Sequence, residues 1–389
     1  MSHSIYLDHN ATTPLRPEAI AAMTEVLGRV GNPSSVHAFG RAARKVVEDA
    51  RERVADLVAA EAGQVIFTSG GTEANAQALR GLGAGRILAS AIEHASLLAA
   101  VPGVETIPVD RDGVIDLAAL ESLLRGAAAA QRPTLVAVML ANNETGVVQP
   151  VAEAVAIARR HGALVHCDAV QAAGKIAVDL AGLGVDSLSL SAHKFGGPQG
   201  VGALVLAPGV VVQPLVSGGG QERRRRAGTE NVAGIAGFGA AAALAASPMH
   251  GERMASLSGL RDRLEGEVLR IAPTARVFGS RVARLLNTSC FALPGLEGAV
   301  QVMALDLAGI AVAAGAACSS GRTAPSHVLT AQGATATEAA SAIRVSLGWT
   351  STGADVDGFL AAWRALVERT VPISYAKSAG FENKGATRW

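Results

Sequence analysis

Cysteine is scarce in this chain. Cys167, Cys290 and Cys318 stand far apart among 389 residues, which excludes a disulfide framework and a paired metal-type motif. Aromatic side chains make up 3%, so a core has to be packed from Ala, Val, Leu and Ile. Excess charge is lacking too. The formal net charge is +1, and no global field points to nucleic acid or a membrane surface. No stretch approaches the ~20 uninterrupted apolar residues of a membrane span. Residues 1–8 carry no basic segment followed by an apolar one. The expectation is a soluble, cytoplasmic protein with reduced thiols and no metal. The one local charge run, residues 223–226, reads as a solvated loop of four arginines.

What is present is enough for a large core: 49% of the residues are apolar, and 44 glycines suit tight strand-to-helix turns. The length predicts two domains, or a large one with a smaller partner. Short β-type runs fall at 65–67, 86–88, 106–107, 135–138, 164–166, 187–190 and 203–206. Helical stretches lie between several of them, at 39–57, 73–80 and 151–160. This alternation predicts an α/β fold with a mostly parallel seven-stranded sheet flanked by helices. After about residue 250 the pattern changes. A charged helix at 251–269, strand-like runs at 287–293 and 310–313, and helices at 296–308 and 356–370 read as a smaller α+β domain. The division expected is a large domain over 15–250, a small one from 1–14 and 251–375, and a polar tail over 376–389.

Five segments carry candidate chemistry, and each has an ordinary alternative. Thr68-Ser69-Gly70-Gly71-Thr72 follows a β run and opens a helix, which is a phosphate cradle or a plain tight turn. Ser191-Ala192-His193-Lys194 puts a lysine directly after a buried strand, where it is either a Schiff-base amine or a snorkelling side chain. His166-Cys167-Asp168 followed by Gln171 places an acid at a strand end, fit for a protonated pyridine ring or for a helix cap. Glu93-His94 offers a ring that stacks or moves protons. Asn142-Asn143-Glu144-Thr145-Gly146 is a polar turn whose Asn143 can also reach a ligand. The phosphate turn, His94, Asn143, Asp168 and Lys194 follow one another in this order along the chain, and read as one site they supply what pyridoxal phosphate needs.

These residues also resemble the cysteine desulfurases of the class V aminotransferase branch of fold-type I pyridoxal-phosphate enzymes. The resemblance runs from Tyr6-Leu7-Asp8-His9-Asn10-Ala11-Thr12-Thr13-Pro14 to about Gly348. It includes Gly31-Asn32-Pro33-Ser34-Ser35, Ser69-Gly70-Gly71-Thr72-Glu73, Ser191-Ala192-His193-Lys194 and Ala227-Gly228-Thr229. Gly315-Ala316-Ala317-Cys318-Ser319-Ser320-Gly321 resembles the catalytic-cysteine segment of the iron–sulfur-cluster-assembly type, which carries its cysteine on a long loop.

The resemblance implies the roles. Lys194 forms the Schiff base with pyridoxal 5'-phosphate. Asp168 pairs with the ring nitrogen, His94 stacks on the ring and helps to move protons, and Gln171 and Asn143 approach its phenolic oxygen. Gly71, Thr72, Ser191 and His193 hold the phosphate, with Thr229 reaching the other subunit of a homodimer with shared sites. Arg344 clamps the substrate carboxylate, with Asn32 and Asn143 nearby. Cys318 takes sulfur from L-cysteine as a persulfide, leaves L-alanine, and passes the sulfur to a protein acceptor, either a scaffold or a sulfur carrier. The chain departs from many relatives in having Ala313-Ala314-Gly315-Ala316-Ala317-Cys318 in place of Ser-Ser-Gly-Ser-Ala-Cys. It is also shortened after His94, and its tail after Ile373 does not match a scaffold-docking segment. A selenocysteine lyase, a small-molecule aminotransferase of the same fold, or a non-enzymatic subunit are the other readings. Cys167 and Cys290, in or beside β runs, read as inert core thiols.

Overall fold

The seven expected β runs form one sheet in the computed structural model, which describes residues 4–125, 132–314 and 325–370. Cys318 and the expected tail lie outside the described residues. Among the described residues the strands are β1 (Ile5–Tyr6), β2 (Val65–Thr68), β3 (Arg86–Ser90), β4 (Glu105–Ile107), β5 (Thr134–Ala137), β6 (Leu164–Asp168), β7 (Ser187–Ser191), β8 (Gly202–Leu206), β9 (Arg276–Val277), β10 (Thr288–Ala292), β11 (Ile310–Ala311), β12 (Ala313–Ala314) and β13 (Ala342–Ser346). The helices are α1 (Pro17–Leu27), α2 (Ala38–Leu57), α3 (Gly71–Gly81), α4 (Ala95–Leu98), α5 (Leu117–Arg125), α6 (Val151–Arg160), α7 (Leu180–Leu183), α8 (Val232–Ala245), α9 (Pro248–Ile271), α10 (Gly298–Leu307), α11 (His327–Ala331), α12 (Ala336–Ala340) and α13 (Gly353–Thr370).

The large sheet has the order β2-β8-β7-β6-β5-β3-β4. Strand β8 pairs antiparallel with both β2 and β7, and the other pairs are parallel. Helices cover the sheet on both faces, so strands such as β5 and β7 are buried throughout. The carboxyl ends of β2, β6 and β7 open on one side, at Thr68, Asp168 and Ser191. That is where an open α/β sheet binds its ligand. Thr68 and Ser191 flank the same residue, Gly202. A Cβ there would meet the Gly70 backbone at 2.7 Å and the Leu190 carbonyl at 2.6 Å, so the glycine lets the turn after β2 close onto the end of β7.

The second hydrophobic cluster lies in the smaller part of the chain. Antiparallel β12-β13-β10-β9 packs with α9, α10 and α13 around Phe291, Phe359 and Trp363. The N-terminal residues join this part. Strand β1 pairs with β11, and Leu7 belongs to the same cluster. Helix α8 has no polar face because it is sandwiched. A Cβ on Gly237 would lie 2.7 Å from Met23 of α1, and one on Gly239 would lie 2.6 Å from Ala50 of α2.

The arginine run is only half a solvated loop. Arg223 and Arg224 are exposed, but Arg225 and Arg226 are half-buried. Arg226 pairs with Glu73 at 2.9 Å, and Arg225 donates to the Gly63 carbonyl at 3.0 Å. The turn is tied down by Glu222, which is buried against Arg51 at 2.6 Å. Among the described residues no single helix is long and apolar enough to cross a membrane.

Candidate active site

A cavity of about 450 Å³ opens beyond the strand ends, lined by Ser69, Gly70, Gly71, Thr72, Ser191 and His193, with Ala11 and Thr12 on its N-terminal side. Helix α3 starts at this cavity, so its first backbone N–H groups face it, a ready site for an anion. Gly71 is buried, and a Cβ there would lie 2.7 Å from Val170. A side chain at that position would force apart the turn that forms the cradle. His193 lies on the wall. Burial and the Lys194 and Lys175 cations lower it to about 4, so the ring is neutral. Its Nδ1 is buried with no hydrogen-bond partner among the described residues, an orphaned group of the kind that a bound anion satisfies.

Residues that follow the strands form a hydrogen-bonded group that meets this cavity at Ala11. Lys194 ends a short 3₁₀ turn after β7, and its Nζ donates to the Asn10 carbonyl at 2.7 Å and the Ala11 carbonyl at 2.9 Å. Asp168 ends β6 and is buried. Its Oδ1 accepts from Val170 N at 2.9 Å and its Oδ2 from Asn75 Nδ2 at 2.8 Å. His94 caps α4, with Nδ1 accepting from Ser96 N at 3.1 Å. Burial lowers its pKa, against the pull of Asp168, and Lys194 and His327 push the same way as burial.

Gln171 donates from Nε2 to the Asn10 carbonyl at 2.9 Å and accepts from Lys175 Nζ at 2.6 Å. Lys175 also donates to Asn10 Oδ1 at 2.7 Å. It is buried, and burial, followed by the Lys194 and Arg344 cations, pushes its pKa well down. Arg344, on β13, donates to Asp8 Oδ1 at 2.6 Å and to the Asn143 carbonyl at 3.0 Å. Its Nε is buried without a partner among the described residues. One residue, Asn10, therefore touches both lysines, Gln171, and Asn143 through its carbonyl.

Two expected residues stand apart from this group. Asn32 and Thr229 are exposed. Among the described residues no hydrogen bond joins either to the others within this subunit. Asn32 Oδ1 accepts from Ser34 N at 2.9 Å, a local turn. Cys167 and Cys290 are free and buried, and burial pushes both thiols up, as suits inert core residues. Sequence reading overlooked Asn10, Asn75, Lys175 and Glu144. A lysine in an otherwise apolar stretch after Asp168 was the one available signal, for Lys175.

Residues 5–359 match the aminotransferase class-V family. The chain is similar to the cysteine desulfurase of Cereibacter sphaeroides, 47% identical over 95% of this chain and 97% of the relative. It is similar to the cysteine desulfurase IscS of Dictyoglomus turgidum, 40% identical over 99% of this chain and 100% of the relative. A solved NifS-like protein from Rickettsia africae superposes with a TM-score of 0.84 at 35% identity, covering 94% of this chain and all of that one.

Proposed function

The chain belongs to the aminotransferase class-V family, and from its site and its relatives we infer that it is a cysteine desulfurase, converting L-cysteine to L-alanine. The cofactor is pyridoxal 5'-phosphate. The donor set fits it: an anion cradle at α3 with the unpartnered His193 Nδ1, a lysine held on the carbonyls of Asn10 and the cavity residue Ala11, and a buried acid on β6. Bound there, the cofactor supplies an electron sink for charge developed on the amino acid.

The chain's own residues do the rest. Gly71, Thr72, Ser191 and His193 hold the phosphate, and Thr229 contributes to the same group across a homodimer. Asp168 keeps a lone pair on each oxygen for the ring nitrogen after its two N–H bonds. Lys194 Nζ holds the cofactor covalently and carries protons, with His94 beside it. Gln171 and Asn143 face the ring, and Asn32 assists at the substrate. Arg344 takes the substrate carboxylate in its planar fork, held in place by Asp8. The Cys318 thiolate attacks the substrate sulfur. A sulfur–sulfur bond forms, the carbon–sulfur bond breaks with its electron pair left on carbon, and protonation there completes alanine.

The observation that carries the sulfur-transfer step is how the chain is fastened on either side of Cys318. Ala313 pairs with Arg344. After the stretch, Ser326 bonds Glu144 and His327 Nε2 meets the Glu93 carbonyl at 2.9 Å, one residue from His94. Both ends of the cysteine segment are thus fastened beside residues assigned to the reaction, Arg344 at one end and the neighbour of His94 at the other. The persulfide passes to a protein acceptor, and the enzyme works in the cytoplasm, where thiols stay reduced. The cluster that joins Leu7 to residues from Met254 to Val367 supports a small domain from 1–14 and 251–375 beside a large one over 15–250. The test is to give purified enzyme L-cysteine with a thiol reductant. Alanine and sulfide in equal amounts are expected. With an added 2-oxo acid as amino acceptor, mercaptopyruvate formed without alanine or sulfide would assign it as a transaminase.

A further inference from the structure

Resting on the reading that Asp168 and His94 face the cofactor, we propose that Asn75 is a positioning residue whose one side-chain amide holds Asp168 directly and, by donating to Ser96, orients the hydroxyl that with the Ser96 N–H keeps the His94 proton on Nε2. Asn75 lies in α3, four residues after Gly71, and is 1% exposed. Its amide is fully used. Nδ2 donates to Asp168 Oδ2 at 2.8 Å and to Ser96 Oγ at 2.9 Å, and Oδ1 lies 3.0 Å from His166 Nε2.

The amide has only one way round. The carboxylate of Asp168 accepts and does not donate, so nitrogen must face it and oxygen must face His166. His166 Nε2 is therefore the donor, and its Nδ1 accepts from Ser187 Oγ at 2.8 Å. Burial lowers this ring to about 3, so it stays neutral and keeps that single tautomer. The other amide hydrogen goes to Ser96. Ser96 accepts from Asn75 and turns its own hydrogen to His94 Nδ1, at 2.9 Å. The Ser96 backbone N–H points to the same nitrogen at 3.1 Å. With Nδ1 accepting, the proton of neutral His94 is on Nε2, and the ring enters the reaction as an Nε2–H donor. The titratable groups around it are Asp168 on β6, Lys194 after β7, His327 on α11 and its neighbour Glu93. Asn75 and Ser96 connect the acid to the ring through neutral groups.

The test uses holoenzyme labelled with ¹⁵N-histidine, with Asn75→Ala, Asn75→Asp and Ser96→Ala variants. The side-chain ¹⁵N shifts of wild-type His94 should report a proton on Nε2. A proton on Nδ1 overturns the proposal whatever the variants do. Asn75→Ala should lower kcat by about ten- to a hundredfold with KM within about twofold. It should also shift the pH at which the bound cofactor's absorbance titrates by more than about half a unit. Asn75→Asp keeps the shape but sets an acceptor against Asp168, so it should be worse than alanine. An aspartate variant that behaves as wild type beside a damaged alanine variant would mean that Asn75 only fills space. Should neither fold, Ser96→Ala decides: it should change the His94 shifts and leave the cofactor's absorbance titration in place, and unchanged His94 shifts overturn the proposal. Asp168→Ala and His94→Ala separate the two readings. If both retain full cofactor binding and turnover, the site reading fails. If both are crippled while the Asn75 variants match wild type, the Asn75 proposal fails alone.

Discussion

Ser326 donates its hydroxyl to Glu144, Oγ to Oε2 at 2.6 Å, and so ties the start of α11 to the polar turn whose Asn143 carbonyl accepts from Arg344. Burial raises the Glu144 carboxyl from 4.5 to about 7, against the lowering effect of Ser326 and Arg344. Between those values the unfolded chain has released the proton and the folded chain keeps it. The contribution is therefore complete below 4.5 and lost as pH rises through about 7. In Glu144→Gln the stability should decline less than in the parent across this window, by up to ~3 kcal/mol. Thermal unfolding at a series of pH values checks this, and a difference of opposite slope would mean a folded-state carboxylate.

Arg344 meets Asp8 and the Asn143 carbonyl through its two terminal nitrogens. Lysine cannot copy that fork. Arg344→Lys is expected to lower kcat/KM for cysteine by about ten- to a hundredfold, mostly through KM. Steady-state kinetics decides. A loss confined to kcat would remove Arg344 from substrate binding.

Cys318→Ala and Lys194→Ala should fail differently. The first is expected to bind cofactor with a normal visible spectrum and yield no alanine or sulfide. The second should carry no cofactor bonded to the chain after borohydride reduction. Mass spectrometry of the intact proteins separates them, and in wild type treated with cysteine one added sulfur should map to residue 318. Alanine production undiminished in Cys318→Ala would end the persulfide assignment.

Gly239 packs where a Cβ would sit 2.6 Å from Ala50 Cβ and 2.7 Å from its Cα. Backbone on the opposing helix cannot turn aside as a long side chain can. Gly239→Ala should cost about 1–3 kcal/mol, read as a lower melting temperature. At Gly251, where nothing lies within 4 Å, the same change should cost no stability.

Those two glycines also explain where sequence reading stopped. The seven sheet strands were legible as short apolar or alternating runs, such as Val65–Thr68 and the Ser-Leu alternation of β7, several of them separated by helical stretches. Helices α2, α3 and α6 were legible because one face is polar. Helix α8 was not, since it is buried on nearly every side and its apolar residues follow no period. In the smaller part the runs at 287–293, 296–308 and 356–370 fall on β10, α10 and α13, 310–313 resolves into β11 and β12, α9 begins at Pro248, and β9, α11, α12 and β13 were not read. At the site, Lys194, Asp168, His94 and the Gly71 turn announced themselves by their place after strands. Asn10, Asn75, Lys175 and Glu144 did not. Their significance lies in contacts made across long separations, such as Asn10 with Lys175 and Glu144 with Ser326, and no local pattern encodes those.

Strand β1 pairs with β11, so Ile5 lies beside Ile310, and Asp8 bridges to Ser346. Residues 5–8 thus find their partners only when residues 310–346 have been translated. Until then Leu7 and Tyr6 have no seat, while the sheet between them can already assemble. Closure of that long loop is slow for entropic reasons. Asn10, which meets both lysines, rides on the segment it delivers. The lysine end of the site is thus completed among the last events of folding, and a nascent chain stalled before residue 310 would hold its sheet without a finished centre.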